Sequence, residues 1–222
     1  MRDFLANLFF GGSCFVCRGA SRTLLCAACE GELPRLAGAL CPRCALPSPN
    51  GAVCGRCLAD PPGYDATIAV FAYEFPADAL VHALKFRGEL ALAGFLGKRL
   101  SEKATQSVDR VIPVPLSAAR LRSRGYNQAV EIARHVLPGK MDIDVCVRRQ
   151  DSTPQMQLPW DERQRNVRGA FRFRRPLLGA TVAVVDDVMT TGATLDELAR
   201  TLKRAGASRV VNWVVARTLP PS

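Results

Sequence analysis

Strand-length apolar segments recur along the chain after residue 65, and amphipathic segments separate most of them. Strands are predicted at residues 66–73, 110–114, 143–147, 181–185 and 210–215. Several of these are continuous apolar runs, which is the pattern of strands buried on both faces. Helices are predicted from Pro76 to Phe86, at about 89–104, at 127–137 and at 194–205. This alternation predicts an α/β fold with a parallel sheet covered by helices on both faces.

The first 62 residues lack this pattern and contain eight of the nine cysteines. These eight form four pairs with C-x-x-C spacing: Cys14/Cys17, Cys26/Cys29, Cys41/Cys44 and Cys54/Cys57. Each pair can place two thiolates on one side of a tight turn, and two pairs complete a tetrahedral four-thiolate site. Two structural zinc ions are therefore predicted. Iron–sulfur clusters and disulfides are the alternatives, and a reducing cytosol argues against disulfides.

The way in which the four pairs combine is less certain. Sequential combination leaves gaps of 8 and 9 residues inside the two sites, and interleaved cross-bracing leaves gaps of 23 and 24. Sequential combination is favoured because the two halves are similar units. Pro61-Pro62-Gly63 is a typical linker. We therefore predict a double zinc-ribbon module at residues 1–62 and an α/β domain at residues 63–222.

Length and composition narrow the class of protein. A chain of 222 residues with 48% hydrophobic and 23% charged residues is typical of a soluble globular protein, and excludes disordered, collagen-like and secreted miniprotein classes. No apolar run approaches the roughly 20 residues that a membrane-spanning helix needs. The amino terminus is too short and too acidic for a signal peptide. A cytoplasmic protein without membrane insertion is predicted.

The charge distribution indicates anionic partners. The formal net charge is +10, and residues 110–175 hold most of the excess, with 14 cations against 6 anions. Eight zinc-bound thiolates contribute −8 and two Zn²⁺ ions +4, which lowers the formal +10 to about +6. The zinc module then ceases to be basic, and the positive charge is concentrated in residues 110–175.

A buried strand, two adjacent acids and a small polar loop precede the last predicted helix. The acids are Asp186 and Asp187, and the loop consists of Thr190, Thr191, Gly192, Ala193 and Thr194. Hydroxyl groups, a glycine that lets the backbone approach a ligand, and the amino end of a helix together form a phosphate cradle. Two adjacent carboxylates suit the cis-diol of a ribose and a nearby Mg²⁺. A phosphorylated ribose is therefore the predicted ligand.

A purely structural interpretation covers only part of this segment. Thr194 and Glu197 have the spacing of a capping box, which satisfies backbone groups at the start of a helix. This accounts for Thr194 but not for Asp186-Asp187 followed by Thr190-Thr191-Gly192. The ligand-binding interpretation is therefore favoured.

This segment resembles the phosphoribosyl-pyrophosphate (PRPP) motif of type I phosphoribosyltransferases. The whole chain, with its four cysteine pairs, resembles the ComF family of competence-associated proteins. Further matches lie at residues 84–88, 113–116, 124–128, 153–155, 163, 166 and 169–171. The resemblance implies a type I phosphoribosyltransferase-like sheet preceded by a double zinc ribbon.

The resemblance also implies PRPP·Mg²⁺ as the ligand, with pyrophosphate leaving as a nucleophile attacks the anomeric carbon. It places the 5′-phosphate on residues 190–194, and the ribose hydroxyls and Mg²⁺ at Asp186 and Asp187. It assigns pyrophosphate contacts to four cations: Lys85, Arg87, Arg120 and Arg124. Arg163 would belong to a mobile lid over the site. As an alternative, Arg120 and Arg124 belong to a solvated basic face.

Two functions from different classes follow. The first is a phosphoribosyltransferase that transfers ribose-5-phosphate to an acceptor that the sequence does not identify. The alternative is a non-catalytic or PRPP-regulated protein that binds single-stranded DNA in natural transformation, with competence-machinery proteins as candidate partners. Four aromatic residues near the basic segment favour strand binding: Tyr126, Trp160, Phe171 and Phe173.

Overall fold

The computed structural model describes residues 12–36, 38–149 and 167–220. The strands are β1 Ala66–Ala72, β2 Arg110–Pro113, β3 Cys146–Arg148, β4 Phe171–Phe173, β5 Thr181–Met189 and β6 Arg209–Arg217. The helices are α1 Ala27–Gly31, α2 Gly55–Ala59, α3 Ala77–Phe86, α4 Ala91–Lys103, α5 Ala118–Arg124, α6 Gln128–Ala133 and α7 Ala193–Arg204. Single 3₁₀ turns lie at Pro49–Gly51 and Pro138–Lys140. None of these helices is both long and apolar enough to cross a membrane.

A four-stranded parallel sheet with the order β1-β6-β5-β2 forms the centre of the fold. Side chains on both faces of the two central strands are almost fully buried, as continuous apolar runs predict. The predicted parallel α/β fold is therefore confirmed. Because all four strands point the same way, the segments that follow β2, β5 and β6 meet at one edge of the sheet.

Two layers cover the sheet. On one face, α3, α4 and α6 pack through a leucine-rich core that includes Leu84, Leu96 and Ile132. On the other face, α7 presents a stripe of buried leucines at helical spacing: Leu195, Leu198 and Leu202. Burying each such side chain stabilises the fold by about 1.5–3 kcal/mol. The antiparallel β3–β4 pair packs beside α7 on this second face.

Three predicted elements differ from the structure. The strand expected at 143–147 is Cys146–Arg148, and it pairs with β4 outside the parallel sheet. The helix expected at 127–137 ends at Ala133, because 3₁₀-type bonds tighten the chain there and Pro138 disfavours a helical residue before it. β5 continues to Met189 instead of ending at residue 185, because β6 stays paired with it as far as Met189↔Arg217.

The zinc module covers the outer edge of β1. The module pairs with this strand at two points, through Ala72 N–H to Pro34 O (2.7 Å), ahead of the second cysteine group, and through Thr67 N–H to Pro42 O (3.0 Å), within that group's first turn. The first cysteine group packs into the core on the helix α3–α4 face, and the second into the core on the α7 face. An open sheet edge is thereby protected from pairing with another chain, and both cysteine groups are anchored to the domain that carries the predicted site.

Candidate functional site

Two groups of four cysteines are preassembled in the zinc module. The first consists of Cys14, Cys17, Cys26 and Cys29, and the second of Cys41, Cys44, Cys54 and Cys57. The sulfur atoms within each group all lie within 4.8 Å of one another. Sequential combination of the pairs is therefore confirmed, and cross-bracing is excluded for these residues.

The two cysteine groups are built by the same local structure. In each, the first C-x-x-C turn ends in a residue with left-handed backbone, Arg18 (φ 64°) and Ala45 (φ 55°). The second pair begins a short helix, with Cys26 as the N-cap of α1 and Cys54 as the N-cap of α2. Four thiolates at this spacing fit a tetrahedral zinc ion and leave no coordination position for a water molecule. Both groups thus fit structural zinc.

The two predicted acids lie at the carboxyl end of β5. Asp187 is almost fully buried, and its Oδ2 lies 3.2 Å from the Lys85 Nζ at the end of α3. The backbone N–H groups of Asp187 and Val188 donate to the carboxylates of Asp186 and Asp187, both at 2.9 Å. Residues about 100 positions apart in the sequence thus form one charged cluster.

The acid pair is electrostatically asymmetric. Burial and the neighbouring Asp187 charge raise the pKa of Asp186 well above its usual range. Burial is the largest influence on Asp187 and acts to raise its pKa, but the Lys85 ammonium and the hydrogen bonds from Asp186, Lys85 and the Val188 N–H together outweigh it, so the pKa of Asp187 lies below its usual value. The Asp187 carboxylate in turn raises the pKa of Lys85. Two carboxylates against one ammonium leave this cluster short of positive charge.

The predicted phosphate cradle at residues 190–194 joins β5 to α7, and we call these residues the phosphate loop. Gly192 is the N-cap of α7 and has left-handed backbone with φ 89°. The Ala193 N–H donates to Thr191 Oγ1 at 3.2 Å. The capping-box prediction for Thr194 is wrong, because the helix already begins at Ala193 and Gly192 caps it. Asp196 instead fixes the start of the domain, accepting a bond from Gly63 N–H at 2.5 Å.

Two of the predicted cations lie together beside the acids. Arg124, in the last turn of α5, donates to Gln128 Oε1, and its guanidinium lies over the Phe86 ring at 5.4 Å. The Lys85 Nζ lies 6.0 Å from the centre of the same ring. The Arg124 charge acts to lower the pKa of Lys85, against the stronger effect of Asp187. The structure thus places Lys85 and Arg124 against one exposed aromatic ring, and Lys85 connects them to the acids through its ion pair with Asp187.

The remaining predicted cations lie elsewhere or are not described. The Arg87 guanidinium lies 5.3 Å from the Phe15 ring of the first ribbon. Arg120 lies in the first turn of α5, where its backbone N–H is capped by Ser117 Oγ at 3.2 Å. Arg163 lies outside the described residues. The structure therefore does not bring Arg87 into the Lys85–Arg124 group.

The aromatic residues proposed for strand binding are only partly exposed. Phe171 is buried beneath the Arg148 guanidinium, so its prediction as a stacking surface is wrong. Tyr126 is half-buried and its hydroxyl donates to Leu84 O. Phe173 is 42% exposed, and Trp160 lies outside the described residues. Phe171 and Phe173 are two residues apart and lie on the same face of β4, but only Phe171 belongs to the core that packs beneath α7.

Two arginines that sequence reasoning missed brace the phosphate loop. Arg217, the last residue of β6, is 1% exposed and donates to Met189 O at 2.9 Å and to Thr190 O. Arg56, in the second ribbon, donates to Thr191 O at 2.9 Å. Burial lowers the pKa of Arg217, with the Cys44 thiolate acting in the opposite direction. The only sequence signal for Arg217 is a lone cation at the end of an apolar run.

Gly192→Ala is expected to destabilise the protein by about 1–3 kcal/mol through backbone strain, with a further cost for crowding. A Cβ at this position would lie 2.8 Å from Met189 Cε and 3.0 Å from Tyr64 Oη. Gly179→Ala is the matched control, since its φ of 81° is similar but the space around it is open. Urea unfolding should show the larger loss for Gly192→Ala, and equal losses would contradict the packing described for this loop.

Comparisons with known proteins agree with this architecture. Residues 5–58 match the double zinc ribbon domain, and residues 89–218 match the phosphoribosyl transferase domain. The DNA utilization protein YhgH of Escherichia coli K12 is 34% identical over 94% of this chain and 98% of its own length. Competence protein F of Haemophilus influenzae is 29% identical with the same coverage. Competence protein ComFC of Streptococcus pneumoniae is 24% identical, covering 87% of each chain.

The fold, the two cysteine groups and the loop after β5 define a phosphoribosyltransferase-like domain that carries an amino-terminal double zinc ribbon. Within that class, the chain belongs to the ComF family.

Proposed function

We propose that this protein binds PRPP·Mg²⁺ at the carboxyl edge of the sheet and transfers ribose-5-phosphate to an acceptor. The observation that carries the proposal is the Asp186–Asp187 pair, of which Asp187 is buried and ion-paired to Lys85, one loop away from the amino end of α7. PRPP carries a phosphate at one end and a diol and a pyrophosphate at the other, and this order matches the order of the helix end, the acids and Lys85.

The 5′-phosphate would bind to residues 190–194. The helix α7 begins here, so its amino end offers backbone N–H groups and a partial positive charge. The hydroxyl groups of Thr190, Thr191 and Thr194 add donors, and Gly192 and Ala193 present no bulky side chain. The loop binds by geometry alone, without a side chain that must change its charge.

The ribose hydroxyls and Mg²⁺ would bind at Asp186 and Asp187. Carboxylate oxygens are the protein ligands that Mg²⁺ prefers, and the raised pKa of Asp186 marks a cluster that lacks positive charge. The donor set therefore fits a divalent cation. The ion would neutralise charge on the departing pyrophosphate.

Positive charge for the pyrophosphate would come from Lys85 and Arg124, which already lie next to each other. In the ligand-free arrangement Lys85 pairs with Asp187. When a cation binds the acids, Lys85 becomes available to the anion. Arg87, Arg120 and Arg163 are further proposed contacts. No covalent nucleophile is required, since positioning and electrostatic stabilisation are sufficient for such a transfer.

Pyrophosphate release from PRPP in the presence of amine and nucleobase acceptors tests this function. The Asp186→Asn/Asp187→Asn variant should lose the activity by at least about 10²-fold. Asp109→Asn is the matched control, because Asp109 caps the opposite end of β5 through Thr181 N–H at 2.8 Å. PRPP binding without turnover by any acceptor would reduce the proposal to a PRPP-binding protein.

A second candidate function is binding of single-stranded DNA. The relatives are named as DNA utilization and competence proteins. In this chain, Arg172 in β4 and Arg174 just after its end are exposed, and Phe173 between them is partly exposed. Cations alternating with an aromatic ring suit a polynucleotide backbone and an unstacked base. PRPP would then act as a substrate or as a regulatory ligand, with proteins of the competence machinery as further partners.

The affinity for an oligothymidylate is expected to fall at least about ten-fold between 50 and 200 mM salt, because cations that bind phosphates release counterions. Arg172→Ala/Arg174→Ala should reduce the salt slope by about one to two. Lys98→Ala/Lys103→Ala, which also removes two exposed cations, both from α4, serves as the charge-matched control. An affinity that hardly changes with salt would contradict this interface. Fluorescence anisotropy measures all three proteins.

A further inference from the structure

Arg217 connects the second cysteine group to the phosphate loop. Its Nε donates to Cys44 O at 2.9 Å, on the first turn of the second ribbon. Its Nη1 donates to Met189 O and Thr218 O, both at 2.9 Å, and to Thr190 O. One guanidinium therefore holds the end of β5, the start of the loop and a cysteine turn in a fixed relative position.

The charge of Arg217 has no acidic counter-charge in the part of the chain that the structure describes. Among the described residues, no carboxylate forms an ion pair with Arg217, although the side chain is almost fully buried. A buried charge without a partner is costly. Four thiolates around one Zn²⁺ carry a formal charge of −2, and Cys44 is one of the four. The second metal cluster is therefore the counter-charge that the fold provides.

Further contacts couple the same two parts. Arg56, two residues after Cys54, donates to Thr191 O at 2.9 Å. The second ribbon and the loop also line the same small pocket of about 40 Å³, whose lining includes Cys44, Cys57, Tyr64 and Gly192. The two parts therefore lie against each other around this pocket as well as at Arg217 and Arg56.

The first cysteine group has no such connection. Its hydrogen bonds and ion pairs within the described residues reach α4 through Glu30 and Arg99, and none reaches residues 189–194. The chain thus holds two cysteine groups of the same construction, of which one is bonded to the phosphate loop. This provides an internal control.

We propose that the second zinc cluster and the phosphate loop form one cooperative unit, with Arg217 as the positioning residue between them. Loss of this zinc ion loosens residues 189–194, and a phosphate ligand bound there slows release of the same ion. The coupling is reciprocal by thermodynamic necessity. The ligand half of the proposal rests on the proposed PRPP function; the zinc half does not.

Zinc release to a chromogenic chelator, followed with and without PRPP·Mg²⁺, tests the coupling. We expect PRPP·Mg²⁺ to slow the release of one of the two zinc ions by about ten-fold and to leave the release rate of the other unchanged. A Cys26→Ser variant, which keeps an intact ligand set only at the second site, assigns the slowed ion. Equal slowing of both ions, or slowing of neither while calorimetry shows that PRPP binds, would overturn the proposal.

Arg217→Met tests the zinc half without a ligand. One zinc ion should leave about ten-fold faster than in the unsubstituted protein, and the other at the same rate, since partners around a metal ligand set commonly affect affinity by 10–100-fold. Hydrogen exchange should increase at residues 189–194. If Arg217→Met does not fold, Arg56→Ala replaces it as the test. Arg56 is exposed, so we expect its substitution to produce a smaller change in the same direction.

The two proposals fail in different ways. If PRPP does not bind the unsubstituted protein, the proposed function is wrong, and faster loss of one zinc ion in Arg217→Met still supports the coupling. If PRPP binds but Arg217→Met and Arg56→Ala both release the two zinc ions at the rates of the unsubstituted protein, the coupling is wrong and the function stands.

Discussion

Lys85→Met is expected to destabilise the protein by about 3 kcal/mol, the lower end of the range for breaking a buried ion pair. The substitution leaves the Asp187 carboxylate, 4% exposed, beside Asp186 with its only paired ammonium removed. The lower end of the range applies because the Lys85 side chain is 31% exposed, so solvent screens part of the ion pair. Urea unfolding at neutral pH measures the loss.

Two variants make this prediction specific. Lys98→Met removes an exposed lysine from α4 and should change the free energy of unfolding by less than about 0.5 kcal/mol. Lys85→Met/Asp187→Asn should recover part of the loss, because the uncompensated charge is then gone. If Lys85→Met were no worse than Lys98→Met, the charged cluster at the end of β5 would not have the arrangement described.

Removal of zinc is expected to have the largest effect on the fold. Metal analysis should give two zinc ions per chain, and a chelator should unfold the ribbon module and expose the β1 edge. The described part of the module buries few large apolar side chains, chiefly Leu25 and Leu33, so metal binding must supply most of its stability. Structural zinc contributes an apparent binding free energy of about 10–16 kcal/mol, which the few buried side chains of the module cannot replace.

Circular dichroism and hydrogen exchange follow the response to the chelator. Cys26→Ser and Cys54→Ser are matched variants, since each replaces the N-cap cysteine of a short helix in one group. Each should retain one zinc ion. A chain that holds iron, or that keeps its ribbon protected after complete chelation, would contradict this account. Cys146, which lies outside both groups and is buried in the domain, should be irrelevant to the metal content.

The fold could be predicted where one segment carries its own signal. The continuous apolar runs of β5 and β6 predict strands buried on both faces, and the C-x-x-C spacing predicts the metal ligands. The segment from Asp186 to Thr194 is local as well, so its position at the end of a strand and the start of a helix follows from the residues alone, although β5 extends past the acids to Met189. These features depend on neighbours in sequence, which periodicity and spacing can report.

The contacts that complete the site depend on residues far apart in the sequence. Nothing local distinguishes Arg217 at the end of β6 from a solvent-exposed strand end, and its role is visible only once β5 lies beside it. Lys85 was assigned to an anion by resemblance, whereas the structure pairs it with Asp187. The capping-box spacing of Thr194 is misleading because Gly192, with its left-handed backbone, caps the helix two residues earlier.

Titration calorimetry with PRPP·Mg²⁺ tests the central claim most directly. The unsubstituted protein should bind one PRPP per chain, and Asp186→Asn/Asp187→Asn should weaken binding by about 10²-fold or more while Asp109→Asn binds normally. Binding should also disappear when Mg²⁺ is withheld. Absence of binding to the unsubstituted protein, or equal binding by the Asp186→Asn/Asp187→Asn variant, would contradict the assignment of this edge of the sheet as a PRPP site.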